Sequence, residues 1–162
     1  MAVTRNISAT YKGPGRVVAG LLALGQREDR LLAYLMAGCA VVFVAQMPRL
    51  AREAHLTGED LNMLMGATLL AWVFIAPLGF YCLAGISHLL AKIFRGKGTH
   101  YGARLALFWA LLASSPLMLL NGLVAGFIGS GIQLQIVGFV WFTVFMWFWI
   151  GGLIVAERAG NE

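Results

Sequence analysis

The sequence predicts an all-α fold: a polytopic membrane helix bundle of four transmembrane helices plus an N-terminal amphipathic surface helix, both termini cytoplasmic. Three observations predict it. Of the 162 residues, 60% are hydrophobic and 12% charged, where a soluble domain carries about 25% charge. Charge is also excluded from long blocks. Leu31 to Pro48 (18 residues), Leu61 to Ala91 (31) and Leu105 to Ala156 (52) contain no Asp, Glu, Lys or Arg. About 20 apolar residues carry a helix across a bilayer, so these blocks hold one, one and two spans. With four spans, ten of the twelve Lys and Arg fall on one side and two on the other, and the basic side is cytoplasmic.

Residues 1–30 form a cytoplasmic leader. Residues 1–10 read as a loose polar tail. Pro14 opens a short helix, since its missing N–H costs nothing in a first turn. Val17, Val18, Leu21, Leu22 and Leu24 follow at helical spacing and face the membrane surface. Gly20 and Gly25 weaken that helix by about 1 kcal/mol each relative to Ala, and an irregular leader is the alternative. Five basic residues and no early apolar core argue against a cleaved signal.

The first span covers 31–48, with Arg30 and Arg49 snorkelling to the interfaces. Ala33, Ala37 and Val41 offer it a packing face. Arg49–Asp60 reads as a loop, and Thr57 with Asp60 resembles a capping box that starts the second helix near Gly58. The second span, about 60–91, is overlong, so it tilts or bends near Pro77-Leu78-Gly79; a membrane proline is tolerated where neighbours satisfy the freed carbonyl. Lys92–Arg104 holds four basic residues and no acid, with Gly96, Gly98 and Gly102 making a flexible turn. Arg16, Lys92, Arg95, Lys97 and Arg104 are expected to contact anionic headgroups. The third span runs over 105–127 and the fourth over 132–156, joined by a turn containing Gly129 and Gly131. Residues 157–162 are a cytoplasmic tail.

Function classes narrow by exclusion. Membrane-embedded charges mark proton relays and ion paths, and the spans hold none. HExxH, GxSxG and CxxC are absent from the sequence. The expectation is therefore a non-enzyme with no catalytic residues, cofactor or metal. The scattered basic residues form no aromatic-interleaved stripe, so nucleic acid is not an expected partner. Cys39 and Cys82 read as small buried apolar residues. His88 and His100 could make a two-part site, interfacial polar residues being the plainer reading. Arg52, Glu53 and His55 have no assignable partner.

The third span carries small residues at Ala106, Ala110, Ser114, Gly122 and Gly126, a stripe that lets helices approach closely. Asn121, beside Pro116, reads as an interhelical hydrogen bond worth about 0.6–2 kcal/mol, or else as a substrate contact. The hydroxyls of Ser114 and Ser115 can bond to carbonyls that Pro116 frees. The fourth span is aromatic, with Trp147 and Trp149 expected as interface anchors. Its other rings meet lipid, a helix, or a bound pigment or quinone, lipid and packing being the default.

The leader YKGPGRVVAGLLALGQREDRLLAYLM, the loop FRGKGTHYGARLALFWALLASSP and the hairpin after it resemble bacterial members of the Yip1 domain family, over about Tyr11 to Glu157. The shared texture is a Gly-rich turn with Thr or Ser (Gly96-Lys97-Gly98-Thr99) followed by an aliphatic helix with a mid-span proline (Pro116). The resemblance implies a fold and a membrane, and supplies no catalytic residue. The expected protein is a non-enzymatic Yip1-type protein of the bacterial inner membrane. It packs against other membrane proteins or itself or organises lipid, and is an accessory subunit of a larger complex. The alternative is a small homo-oligomeric permease or channel component, with Pro77, Pro116 and Asn121 lining a path.

Overall fold

A computed structural model describes residues 3–93 and 96–159, and these fold as helices joined by short turns. Four helical segments are long and apolar enough to cross a membrane: Glu28–Thr57, Leu61–Ile93, His100–Phe127 and Ile132–Arg158.

The leader is more ordered than its composition suggests. Residues expected to be loose form α1 (Val3–Thr10), and Pro14 begins α2 (Pro14–Ala23). Tertiary contact is what orders α1. Thr10 is fully buried, and its Oγ1 accepts a hydrogen bond from Trp109 Nε1 at 3.0 Å. Tyr11 Oη donates to the Ala113 carbonyl at 3.2 Å, and its ring meets Phe148 edge-on at 5.0 Å. The leader is thus docked on the bundle.

Helix α3 (Glu28–Thr57) starts with Glu28 and Asp29, acids that favour the positive helix N-terminus. It does not end at Pro48. The segment Arg49–Thr57, expected as a loop, continues the helix, because Arg, Leu, Ala and Glu are strong helix formers. Gly58, at φ 75°, closes it in the left-handed region that glycine enters without penalty. The capping box expected from Thr57 is also corrected. Asp60 is itself the cap, accepting from Asn62 N–H at 2.9 Å, while Thr57 Oγ1 donates back to the Glu53 carbonyl.

The second span is interrupted. Helix α4 (Leu61–Leu70) passes through one π turn (Ala71–Ile75) into α5 (Ala76–Ile93), with Ala76 N–H bonded to the Ala71 carbonyl. Pro77 lacks an N–H and its ring crowds the carbonyl four residues back. The widened turn stands directly before it, a single-turn π bulge within an α-helical span.

Helix α6 (His100–Phe127) begins five residues before its charge-free run, where a flexible turn was expected. Thr99 caps it, accepting from Gly102 N–H at 3.1 Å. Gly129, at φ 91°, makes the turn into α7 (Ile132–Arg158).

Helix α6 is the hub. Every residue from Leu105 to Ala113 is buried, so the helix is covered on all sides there. Helix α3 runs parallel to it, from Glu28 beside Arg104, through Gly38 against Leu111, to Pro48 against Gly126. Helix α7 runs antiparallel, with Gly152 against Ala106 and Gly138 near Asn121. Helix α5 touches α6 through Tyr81, whose ring meets Phe108 at 5.0 Å. Helix α2 packs on α7, with Pro14 near Gly151 and Val18 near Gly152.

Two packing expectations are corrected. The buried face of α3 is Leu31, Leu35, Gly38, Cys39, Val42 and Ala45, whereas Ala33 and Ala37 are exposed and Val41 is half-buried. Cys39 is buried as expected, but Cys82 is exposed.

Candidate functional site

The chemically richest place is the end of the bundle where the leader, the 92–104 segment and the end of α7 meet. The antiparallel order of α6 and α7 brings Glu157 beside the turn that precedes α6. Gly98 N–H donates to Glu157 Oε2 at 2.8 Å, and Gly96 and Gly98 lie so close to that carboxylate that neither has room for a Cβ. Glu157 Oε1 faces His88 Nδ1 at 3.6 Å, beyond hydrogen-bond reach, and neither buried atom has a hydrogen-bond partner among the described residues. His88 is 1% exposed. Its ring lies 4.0 Å from that of His100. His100 precedes Arg104 and so sits outside the membrane-crossing part of α6, which begins at Leu105. Desolvation first, then the neighbouring His88 imidazole and the cations Lys92 and Arg104, hold its pKa below the ordinary imidazole value.

His88 and His100, separated in sequence, are therefore brought together, and Glu157 is a third member that reading the sequence missed. The signal was present: an acid at the end of the last span and a histidine at the end of the second sit at the same level in a four-span bundle. Among the described residues, no group of three His, Cys, Asp or Glu has an arrangement that could hold a metal ion. What the cluster does chemically is tie three elements together, namely the end of α5, the turn before α6 and the end of α7.

The cations around it divide. Arg104 pairs bidentately with Glu28 at 2.7 and 2.9 Å, so its expected headgroup role yields to an internal ion pair. Arg16, Lys92 and Lys97 are exposed. Arg95 lies outside the described residues.

Within the spans, Ala106, Ala110, Ser114 and Gly122 are buried on α6, and Gly126 is half-buried against Pro48. Gly122 lies so near the Ala45 carbonyl that a Cβ has no place. Ser114 Oγ donates to the Leu111 carbonyl at 3.1 Å. Pro116 is exposed, Pro77 half-buried, and Asn121 half-buried near Gly138 with its Oδ1 unpartnered among the described residues. The interhelical hydrogen bond expected of Asn121 is therefore not made by that atom. Pro116 and Asn121 are five residues apart on one helix, which at 3.6 residues per turn puts them on different faces.

Trp147 is 51% exposed and Trp149 half-buried. They lie ten and eight residues before Glu157, about 15 and 12 Å along α7.

At the other end, Arg52 has a partner after all. Its Nη1 donates to the Gly126 carbonyl at 3.3 Å, where a cation meets the negative end of α6. Arg49 stands 4.0 Å from Glu53 one turn on.

Set against protein-family models, curated proteins and solved structures, the chain matches none of them.

Proposed function

We propose that the chain is a non-enzymatic, multi-pass protein of the bacterial inner membrane, with both termini cytoplasmic, that acts by packing against other membrane proteins as an accessory subunit. The observation that carries this reading is the second span. Only 6% of its most apolar window is buried, against 56% for α6. From Leu61 to Ile75 it buries no residue at all. Among the described residues, Gly66, Gly79 and Gly85 have nothing within 4 Å of where a Cβ would stand. A helix glycine without a packing neighbour costs about 1 kcal/mol relative to Ala, and bare glycines let a second helix come close in lipid. The span thus carries the features of an interface that its own bundle does not use. The ten basic residues of the leader, the 92–104 segment and the tail support the orientation. The Yip1 resemblance adds a membrane setting to the proposal and no chemistry.

The test is purification in mild detergent. The expected result is a stoichiometric complex with other membrane proteins that dissolves in Gly66→Leu or Gly79→Leu, while the melting temperature of the isolated chain stays unchanged. A lone homo-oligomer with a polar central cavity would overturn the reading in favour of the permease alternative.

A further inference from the structure

At the end of the bundle opposite the His88–Glu157 cluster, the last turns of α3 stand beside the turn that joins α6 to α7. A cleft of about 340 Å³ lies between them. Arg49, Arg52, Glu53 and Leu56 line it from α3, Ser130 from the turn and Leu134 from α7. The cleft straddles a border. Arg49 is the first charge after the Leu31–Pro48 run, while Leu134 lies inside the charge-free run from Leu105 to Ala156. In a membrane-spanning bundle that border is the level of the lipid headgroups.

The three charged side chains stand at positions i, i+3 and i+4 of one helix, so they share a face. The chain leaves each with unused hydrogen-bonding capacity. Arg52 Nη1 donates to the Gly126 and Phe127 carbonyls at 3.3 and 3.5 Å and holds the guanidinium against Gly129; among the described residues, its Nε and Nη2 donate to nothing. Arg49 comes no closer than 4.0 Å to Glu53, beyond hydrogen-bond length, and neither side chain is hydrogen-bonded among the described residues. An exposed pair of this kind holds weakly, so both of its ends are open to a ligand.

Two cations and one carboxylate beside Leu56 and Leu134 are complementary to a phosphate diester that carries a hydrogen-bonding cation and an acyl chain. A purely anionic headgroup leaves the Glu53 carboxylate facing negative charge. A quaternary ammonium has no N–H to give its oxygens. We propose that this cleft binds the headgroup of a phospholipid with a primary ammonium, phosphatidylethanolamine, its phosphate between Arg49 and Arg52 and its ammonium on Glu53. The site rests on the membrane-spanning reading and not on the partner proposed for the second span, which does not line it.

The experiment uses the full chain. An alkaline carbonate wash comes first; release from the membrane at that step would overturn the membrane reading and the site with it. The chain is then reconstituted in nanodiscs holding equal parts of phosphatidylethanolamine, phosphatidylcholine and phosphatidylglycerol. It is transferred to mild detergent and its bound lipid read by native mass spectrometry. The expected result is one phosphatidylethanolamine retained per chain in preference to the other two. Arg49→Gln lowers that retention about fivefold, the factor one surface cation is worth. Glu53→Gln turns the preference toward phosphatidylglycerol. The two side chains are 60% and 41% exposed, so neither change unfolds the chain, and circular dichroism checks this. Equal retention of the three lipids by the native chain would overturn the proposal. So would a preference that survives both substitutions, or loss of the lipid to millimolar inorganic phosphate, which would make the site one for a free anion.

Discussion

Gly122 and Gly79 are both helical glycines in apolar runs, and their surroundings set them apart. Gly122 lies against the Ala45 backbone, while Gly79 has open space around it. Gly122→Ala forces α3 and α6 apart, an overpacking cost of about 1–3 kcal/mol, and lowers the melting temperature in detergent. Gly79→Ala leaves it unchanged or raises it. Thr10 supplies a second contrast. Thr10→Val keeps the shape and removes the acceptor for the Trp109 indole, leaving a buried donor unsatisfied at about 1–3 kcal/mol. The outcome to measure is faster proteolysis of the leader with the spans intact. The Arg104–Glu28 pair is geometrically good but its Glu28 side chain is 61% exposed. A double-mutant cycle on it gives a coupling below about 1 kcal/mol. His100 adds a pH dependence. Its pKa in the folded chain is lowered, so the unfolded chain takes up the proton first. Stability is full above the ordinary imidazole pKa and falls as pH drops from there to the lowered value. His100→Asn flattens that slope in a melting series across the same range.

The elements differ in how far the sequence determines them. Charge-free runs located all four membrane-length helices, because lipid tolerates few charges and the pattern is long. Helix ends were less legible. Arg49–Thr57 and His100–Arg104 are polar yet helical, since a helix can run beyond the bilayer on propensity and a Thr99 cap. The buried face of α3 could not be read from Ala33, Ala37 and Val41, because small residues suit lipid and protein alike. The π turn at Ala71–Ile75 stands directly before Pro77, but proline can also kink a helix, and the sequence does not choose between them. Arg52 and Glu157 went unassigned for one reason: each finds its partner on a segment distant in sequence, at Gly126 and at Gly98. Arg52→Ala tests the first of these. It exposes the last carbonyls of α6 and costs about 0.3–1 kcal/mol.

At the scale of the whole molecule, one filled helix organises the rest. Helix α6 is gripped by α3, α7, α5 and the leader, which leaves the second span largely bare and a slot between α5 and α7. The leader, the turn before α6 and the end of α7 meet at one end through Tyr101, Glu157 and Arg104. The turns at Gly58 and Gly129 lie at the other. That sidedness is what the membrane reading depends on. It is tested most directly by labelling single cysteines with an impermeant maleimide in a Cys39→Ala, Cys82→Ala background. Glu59→Cys and Ser130→Cys are expected to react in intact cells, and Gln26→Cys and Lys97→Cys only after the membrane is opened. Labelling of Gln26→Cys or Lys97→Cys in intact cells alongside Glu59→Cys would contradict the four-span bundle.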